Sequence, residues 1–359
     1  MPVGAFFCET QIIVDSAVRV VSSLGAKRLL VVSDPFFRDT VARQLGEASG
    51  AVTSYFSDVT PDPELALAAK GAAVVKDFVP DAVIALGGGS AMDCTKAMIY
   101  FSGLSPRLIA IPTTSGSGSE VTDFAILTHN GVKHPLVDEK LRPAMAILDS
   151  ELVKALPRSL VADGGFDALT HALEACTATD ASLFTDALAK EAFCQVLNNL
   201  SASHQGDLMA RQTVHQAASM AGLAFTRAGL GLCHGMSHAL GGLFHLPHGR
   251  LNAILLPAVM QCNAPACGDR YAALARDLGL EGRAVSVGVR NLIGTLTRLR
   301  RQLGLPGTLA EAGTAPREVL AHRQQLVETV LADPCCRTNP RPVTAAMVAQ
   351  VLDQVTGHG

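Results

Sequence analysis

A chain of 359 residues is long enough for one large or two ordinary domains. Hydrophobic residues make up 48% and charged residues 17%, which allows a large core and argues against a disordered chain. The formal net charge of −3 gives no reason to expect nucleic acid or an anionic membrane as partner, and no apolar run approaches the roughly 18 residues of a membrane span.

The opening residues, MPVGAFFCET, lack a basic segment and a long apolar segment, so no secretion signal is expected. They run almost directly into the first strand, with no extra terminal helix in view. Residues 8–13 read as a strand and 14–24 as a helix. The apolar run 28–34, closed by Asp34, suits a parallel strand buried on both faces. A helix over 36–47, a strand over 51–56 and a turn over 60–63 follow, then a helix over 63–78. The run 80–86 is again strand-like and leads at once into Gly87-Gly88-Gly89-Ser90. A helix over 91–101 and a strand over 108–112 end in the hydroxyl-rich loop that begins at Thr113. Alternation of this kind predicts an open, mostly parallel, Rossmann-like α/β domain over residues 1–156.

From about residue 155 the spacing changes to 3.6-type periodicity. Ala/Leu-rich segments occupy 161–177, 183–199, 208–226, 231–242, 251–262, 268–277, 286–303, 316–332 and 343–355, with no convincing strand among them. An all-helical C-terminal domain over 157–359 is expected, with the boundary near Leu156-Pro157. The nine cysteines are scattered, odd in number and without a CxxC, which reads as reduced thiols in a cytoplasmic protein. So apolar a set of helices predicts a subunit interface, hence a homodimer or higher homo-oligomer.

Chemistry concentrates in the stretch HGMSHALGGLFHLPH, which holds His234, His238, His245 and His248. His234 and His238 lie four apart and share a helical face, and Pro247 forces the helix to stop or bend before His248. Upstream, Asp167 and His171 stand at i and i+4. A carboxylate with three imidazoles is a complete set for one divalent ion with a position left for a substrate oxygen. In the other half, a Gly-rich turn at the mouth of a helix suits a phosphate. Asp34 ends its strand where an adenosine ribose would lie. A carboxylate there accepts from ribose hydroxyls and repels a 2′-phosphate, which predicts NAD over NADP.

Taken together, these residues resemble the iron-dependent (group III) alcohol dehydrogenases over nearly the whole chain. Within that family the resemblance is strongest to the propanol and ethanol dehydrogenases of bacterial microcompartments. It is carried by IPTTSGSGSEVT, PLVDEKLRPAMAILD, GLGLCHGMSHALGG, HLPHGRLNAILLP and CRTNPRP. The resemblance implies metal ligation by Asp167, His171, His234 and His248, and substrate positioning or proton relay by His238. It implies NAD(H) binding by Gly87, Gly88, Gly89, Ser90 and Asp93, in a motif that also contains Lys96. Thr114 and Ser117 would contact the phosphates or the nicotinamide ribose, with Thr113 and Thr122 nearby, Lys133 at that ribose and Asp62 near the adenine. His245 reads as a packing or capping residue and Cys233 as structural, while Phe124, Phe225 and Phe244 are candidates for an apolar pocket wall.

The metal implied by the resemblance is Fe2+. Zinc would satisfy the same ligands and has the higher intrinsic affinity. The implied reaction is NADH-linked reduction of propanal or acetaldehyde to the primary alcohol, regenerating NAD+ inside a microcompartment beside shell or cargo proteins. Alternatives are a lactaldehyde or polyol dehydrogenase and a maleylacetate-type reductase of the same superfamily. The dehydroquinate-synthase branch lacks support, because no basic cluster for a phosphorylated substrate is present. A scaffolding protein that keeps the fold is the alternative outside enzymes.

Overall fold

The computed structural model describes residues 6, 8–129 and 132–357, in two compact units that part between Leu156 and Pro157. The first unit alternates strands and helices: β1 (Gln11–Ile13), α1 (Ala17–Val21), β2 (Arg28–Ser33), α2 (Val41–Ser49), β3 (Val52–Phe56), α3 (Leu65–Phe78), β4 (Ala82–Gly87), α4 (Gly89–Ser102) and β5 (Arg107–Pro112). It closes with β6 (Phe124–His129), β7 (Val132–Val137), β8 (Met145–Ile147) and α5 (Ser150–Lys154). Six strands form one all-parallel sheet in the order β1-β8-β5-β4-β2-β3. The apolar runs explain it. Leu30, Val32, Val83 and Ala85 enter one core with Met92 and Met98 of α4, while Leu29, Val31, Ile84 and Leu86 enter another with Val21 of α1 and Leu45 of α2. Period-2 alternation of apolar residues on both faces is what a strand covered by helices on each side requires.

The antiparallel pair β6–β7 lies outside what the periodicity predicted. Its second strand, VKHPLV, carries Pro135 and polar, largely exposed side chains. Proline removes a ladder donor, so such a run does not read as a strand from sequence.

The second unit contains no strand among its described residues. Its helices are α6 (Arg158–Thr177), α7 (Leu183–Gln205), α8 (Leu208–Ala228), α9 (Leu232–Phe244), α10 (His248–Asp277), α11 (Val285–Gln302), α12 (Pro316–Ala321), α13 (Arg323–Ala332) and α14 (Ala345–Val355). Helix α6 is buried almost all round from Val161 to Thr177, packed by α7, α8 and α10. A helix so placed needs apolar residues on every face, and any polar group on it needs a partner. Two expected helices, 251–262 and 268–277, are one element with a break at Cys267 (φ −133°), two residues after Pro265. The proline withholds an N–H and crowds the preceding turn, which kinks the helix without ending it. Conversely, the run expected over 316–332 divides at His322.

The approach of α10 to α6 positions the chemistry. A Cβ on Gly249 would stand 1.9 Å from the Asp163 carbonyl oxygen, so only glycine admits this contact. It brings His248, at the start of α10, over the Asp167 turn of α6. Arg250 clamps the same turn by donating from Nη2 to Asp163 Oδ2 at 3.0 Å.

Candidate metal and nucleotide sites

Three helices of the second unit converge on one carboxylate. Asp167 Oδ1 lies 3.4 Å from His248 Nε2, 3.7 Å from His234 Nε2 and 3.8 Å from His171 Nδ1. The candidate ligand atoms of Asp167, His234 and His248 all fall within 4.8 Å of one another. His171 stacks on His234 with ring centroids 4.4 Å apart, and on its other face against Phe225 at 4.3 Å. His238 stacks on His248 at 5.3 Å, and its Nδ1 lies 2.9 Å from Asp333 Oδ2.

Electrostatics fit a cation here. Burial works to raise the Asp167 pKa, but the imidazoles of His171, His248 and His234 more than offset it and hold the carboxyl below its usual range. Burial alone would lower the His234 pKa, yet hydrogen bonds to Asp167 and Glu174 raise it to about 9. Burial drives His248 well below the ordinary histidine value, so this ring stays neutral with a lone pair to offer. A buried carboxylate that already holds a proton on a neighbouring imidazole is a place where a divalent ion exchanges for that proton. One oxygen and up to three nitrogens match the donors that iron and zinc accept.

Sequence reasoning missed a second layer. Glu174, on α6 and 5% exposed, lies 2.6 Å from His234 Nδ1. Asn252, fully buried on α10, donates from Nδ2 to Asp167 Oδ1 at 2.9 Å, and its Oδ1 accepts from Ser237 Oγ. Spacing signals existed for both: Glu174 follows His171 by three residues and Asn252 follows His248 by four, each on its ligand's face. For Asp333, 95 residues from His238, no local signal exists.

In the first unit, strand order reverses at β2, which has β3 on one side and β4 on the other. Ligands of open parallel sheets bind at the carboxyl ends of strands at such a reversal. Asp34 follows β2 and Gly87 ends β4. A Cβ on Gly87 would stand 3.7 Å from Asp34 Oδ2, one on Gly88 3.2 Å from Thr114 Oγ1, and one on Gly89 3.2 Å from Ser117 Oγ. The fold therefore gathers Asp34, Gly87, Gly88, Gly89, Thr114 and Ser117 around the mouth of α4, with Ser90 in its first turn. Gly88 caps α4 with no side-chain hydrogen bond, which suits an anion at the helix N-terminus. Thr113 donates its N–H to Gly87 O at 3.0 Å and is buried.

The chain matches the family model "Iron-containing alcohol dehydrogenase" over residues 11–150 and "Fe-containing alcohol dehydrogenase family, C-terminal" over residues 161–356. It belongs to the iron-containing alcohol dehydrogenase family. It is 42% identical to 1-propanol dehydrogenase PduQ of Salmonella typhimurium over 315 residues, 84% of this chain and 85% of that one. It is 39% identical to the bifunctional aldehyde-alcohol dehydrogenase AdhE of Escherichia coli K12 over 93% of its own length, and spans only 44% of AdhE. Among solved structures, an iron-containing alcohol dehydrogenase from Thermococcus thioreducens aligns over 99% of this chain and 100% of that one, with a TM-score of 0.91 and 32% identity.

In this member of the family, several motif residues face inward. Lys96, a residue type that usually lies at the surface, is 1% exposed. Its Nζ stands 2.8–3.1 Å from Ser119 Oγ, Thr122 O, Thr122 Oγ1 and Phe124 O. Burial lowers its pKa to about 8, against the pull of Asp93, Glu120 and Asp123. Asp93 accepts from Ser119 Oγ at 2.6 Å and from Ile126 N at 3.0 Å. Thr122 is fully buried on Lys96. These three residues hold the 113–122 loop and β6 to α4. Lys133 pairs with Asp62 at 2.7 Å, joining the two residues assigned to opposite ends of the nucleotide. His245 closes α9 in a left-handed conformation (φ 55°), and Cys233 is buried with Sγ toward Asn252. Phe225 is buried against His171, Phe244 packs edge-on to His322, and Phe124 begins β6.

Proposed function

We propose that the protein is an NADH-linked alcohol dehydrogenase that reduces a short-chain aldehyde, propanal or acetaldehyde, to its primary alcohol. The supporting observation is the convergence of Asp167, His234 and His248, their ligand atoms within 4.8 Å of one another, with His171 stacked beside them. Asp167, His171, His234 and His248 would hold Fe2+, or Zn2+ in its place. Asp34, Gly87, Gly88, Gly89, Ser90, Thr113, Thr114, Ser117, Thr122 and Lys133, with Asp93, would hold NAD(H). In this reading residues 1–156 serve the cofactor and 157–359 the metal.

When bound, the ion supplies Lewis acidity and the nicotinamide supplies hydride. The chain does the rest. Asp167 contributes the negative charge that selects a cation, and the neutral rings contribute lone pairs. The Asp333 carboxylate can only accept, so His238 Nδ1 donates to it; Nε2 would take the proton of the alcohol in the oxidation direction and, when the ring carries both protons, give one to the alkoxide in aldehyde reduction. Asp34 accepts from the ribose hydroxyls.

In this reading the enzyme regenerates NAD+ within a cytoplasmic microcompartment, as a homo-oligomer beside shell or cargo proteins; the 1-propanol dehydrogenase relative bears on the alcohol–aldehyde reaction alone. No helix among the described residues is long and apolar enough to cross a membrane. The test is metal analysis of anaerobically purified protein, with NADH oxidation by propanal before and after chelation. About one iron per chain, with activity lost on chelation and restored by Fe2+, is the expected result. Zinc with full activity would remove iron from the reading, and no metal with no turnover would leave a scaffold.

A further inference from the structure

The metal-bearing helix α9 begins without a cap of its own. Its N-cap is Gly231, which has no side chain to fold back onto the first amides. Those amides are nonetheless all engaged. Gly231 N donates to Glu174 Oε2 at 3.0 Å, Cys233 N to Glu174 Oε1 at 2.7 Å and His234 N to Glu174 Oε2 at 3.4 Å. The remaining one, Leu232 N, donates to Asn339 Oδ1 at 3.1 Å. A Cβ on Gly231 would stand 2.8 Å from Glu174 Oε1 and 2.9 Å from Asn339 Oδ1, so the glycine makes room for these remote caps. Glu174 is thus a buried carboxylate that satisfies a helix end from 57 residues away.

Its fourth partner is the His234 ring, with Nδ1 2.6 Å from Oε2. An ionised carboxylate accepts and never donates, so all four neighbours must be donors. His234 therefore carries a proton on Nδ1, and once Nε2 gives up its own proton the lone pair that remains is on Nε2. That atom is the one 3.7 Å from Asp167 Oδ1.

We propose that Glu174 is a positioning residue for the metal: one carboxylate fixes both the backbone of α9 at His234 and the ring tautomer that presents Nε2 to the ion. The inference rests on the metal reading above. A carboxylate behind a metal-bound imidazole aligns the ring and strengthens it as a ligand. Here the same oxygen atoms also anchor the helix that carries the ring, so backbone and side chain are set by one group.

Glu174→Gln isolates the tautomer role. The amide keeps the volume but turns one acceptor into a donor. If Nε2 of the new residue faces Cys233 N, two donors meet. If it faces His234, it demands a bare Nδ1 and puts the ring proton on Nε2, where the ion would bind. Metal-free wild type and variant would each be titrated with Co2+ in competition with a chelator. Binding of NADH, followed by its fluorescence, reports the other unit. Affinity for Co2+ should fall about 10–100-fold in Glu174→Gln, with NADH binding unchanged. Equal Co2+ affinity in the two proteins overturns the inference and leaves the metal reading intact. No Co2+ binding by the wild type overturns both. Where the variant does not fold, nitrogen-15 NMR of the zinc-loaded wild type decides: a proton on His234 Nδ1 in slow exchange supports the inference, and its absence ends it.

Discussion

The two sites are built by different means. The proposed nucleotide site is mainly backbone: glycines that let Asp34, Thr114 and Ser117 crowd the mouth of α4, around a helix end with no side-chain cap. The proposed metal site is almost wholly side chain: donors from α6, α9 and α10, with Glu174 behind His234 and Asn252 behind Asp167. A backbone site spreads its binding over many small contacts and tolerates single side-chain changes. A side-chain site concentrates it in a few atoms, so single changes there remove most of it.

The strongest challenge to that contrast is Asp167→Ala. It should abolish metal retention and lower aldehyde reduction about a thousandfold, because the ion's charge stabilisation is worth several kcal/mol. NADH binding should stay at the wild-type value. A variant that keeps its metal would break the contrast outright.

Lys96→Met probes the other unit, where one buried side chain does carry a concentrated load. Removing the ammonium leaves Thr122 O and Phe124 O without their partner and Asp93 without its countercharge, at about 3 kcal/mol of unfolding free energy. NADH affinity should weaken with the loosened loop, while metal content stays at the wild-type level. Urea unfolding and metal analysis on the same preparation check both halves.

His215→Gln tests acid sensitivity in the helical unit. Burial lowers the His215 pKa to about 4 from 6.5. Its folded value lies below the unfolded one, so the unfolded chain takes up the proton first. The stability this group provides is present above pH 6.5 and is lost as pH falls toward 4. Wild type should therefore lose about 2 kcal/mol more than His215→Gln between pH 7 and pH 5, measured by denaturant unfolding at each pH.

The smallest effect is expected from Asp34→Gly. Loss of one carboxylate at the ribose should raise kcat/KM with NADPH relative to NADH by about tenfold, the scale of one screened charge–charge contact. No change in that ratio would remove Asp34 from the cofactor site.

Much of this was legible in the residues. Runs such as Leu29–Val32 and Val83–Leu86 announce strands covered on both faces, and the i, i+4 pairs Asp167/His171 and His234/His238 announce ligand faces. What was not legible has a common character. The hairpin β6–β7 is masked by Pro135 and its polar residues. Lys96 carries no local mark of burial, because its partners Ser119, Thr122 and Phe124 lie 23 to 28 residues on. Glu174 and Asn252 share faces with ligands, but sharing a face does not say what the face meets.

The sequence by itself determined most of the elements, the donor types and their spacing along each helix, since these follow from backbone periodicity and side-chain chemistry. The tertiary structure decided how the histidines of 234–248 are held: His234 and His248 beside Asp167, His238 on Asp333 and His245 closing the helix. It alone decided that Glu174 would cap α9, that Asn252 would reach Asp167, and that Lys96 would point inward. Each depends on helices remote in sequence coming within a few ångströms, through contacts such as Gly249 on the Asp163 carbonyl, and hydrogen bonds that short are set by packing and not by periodicity.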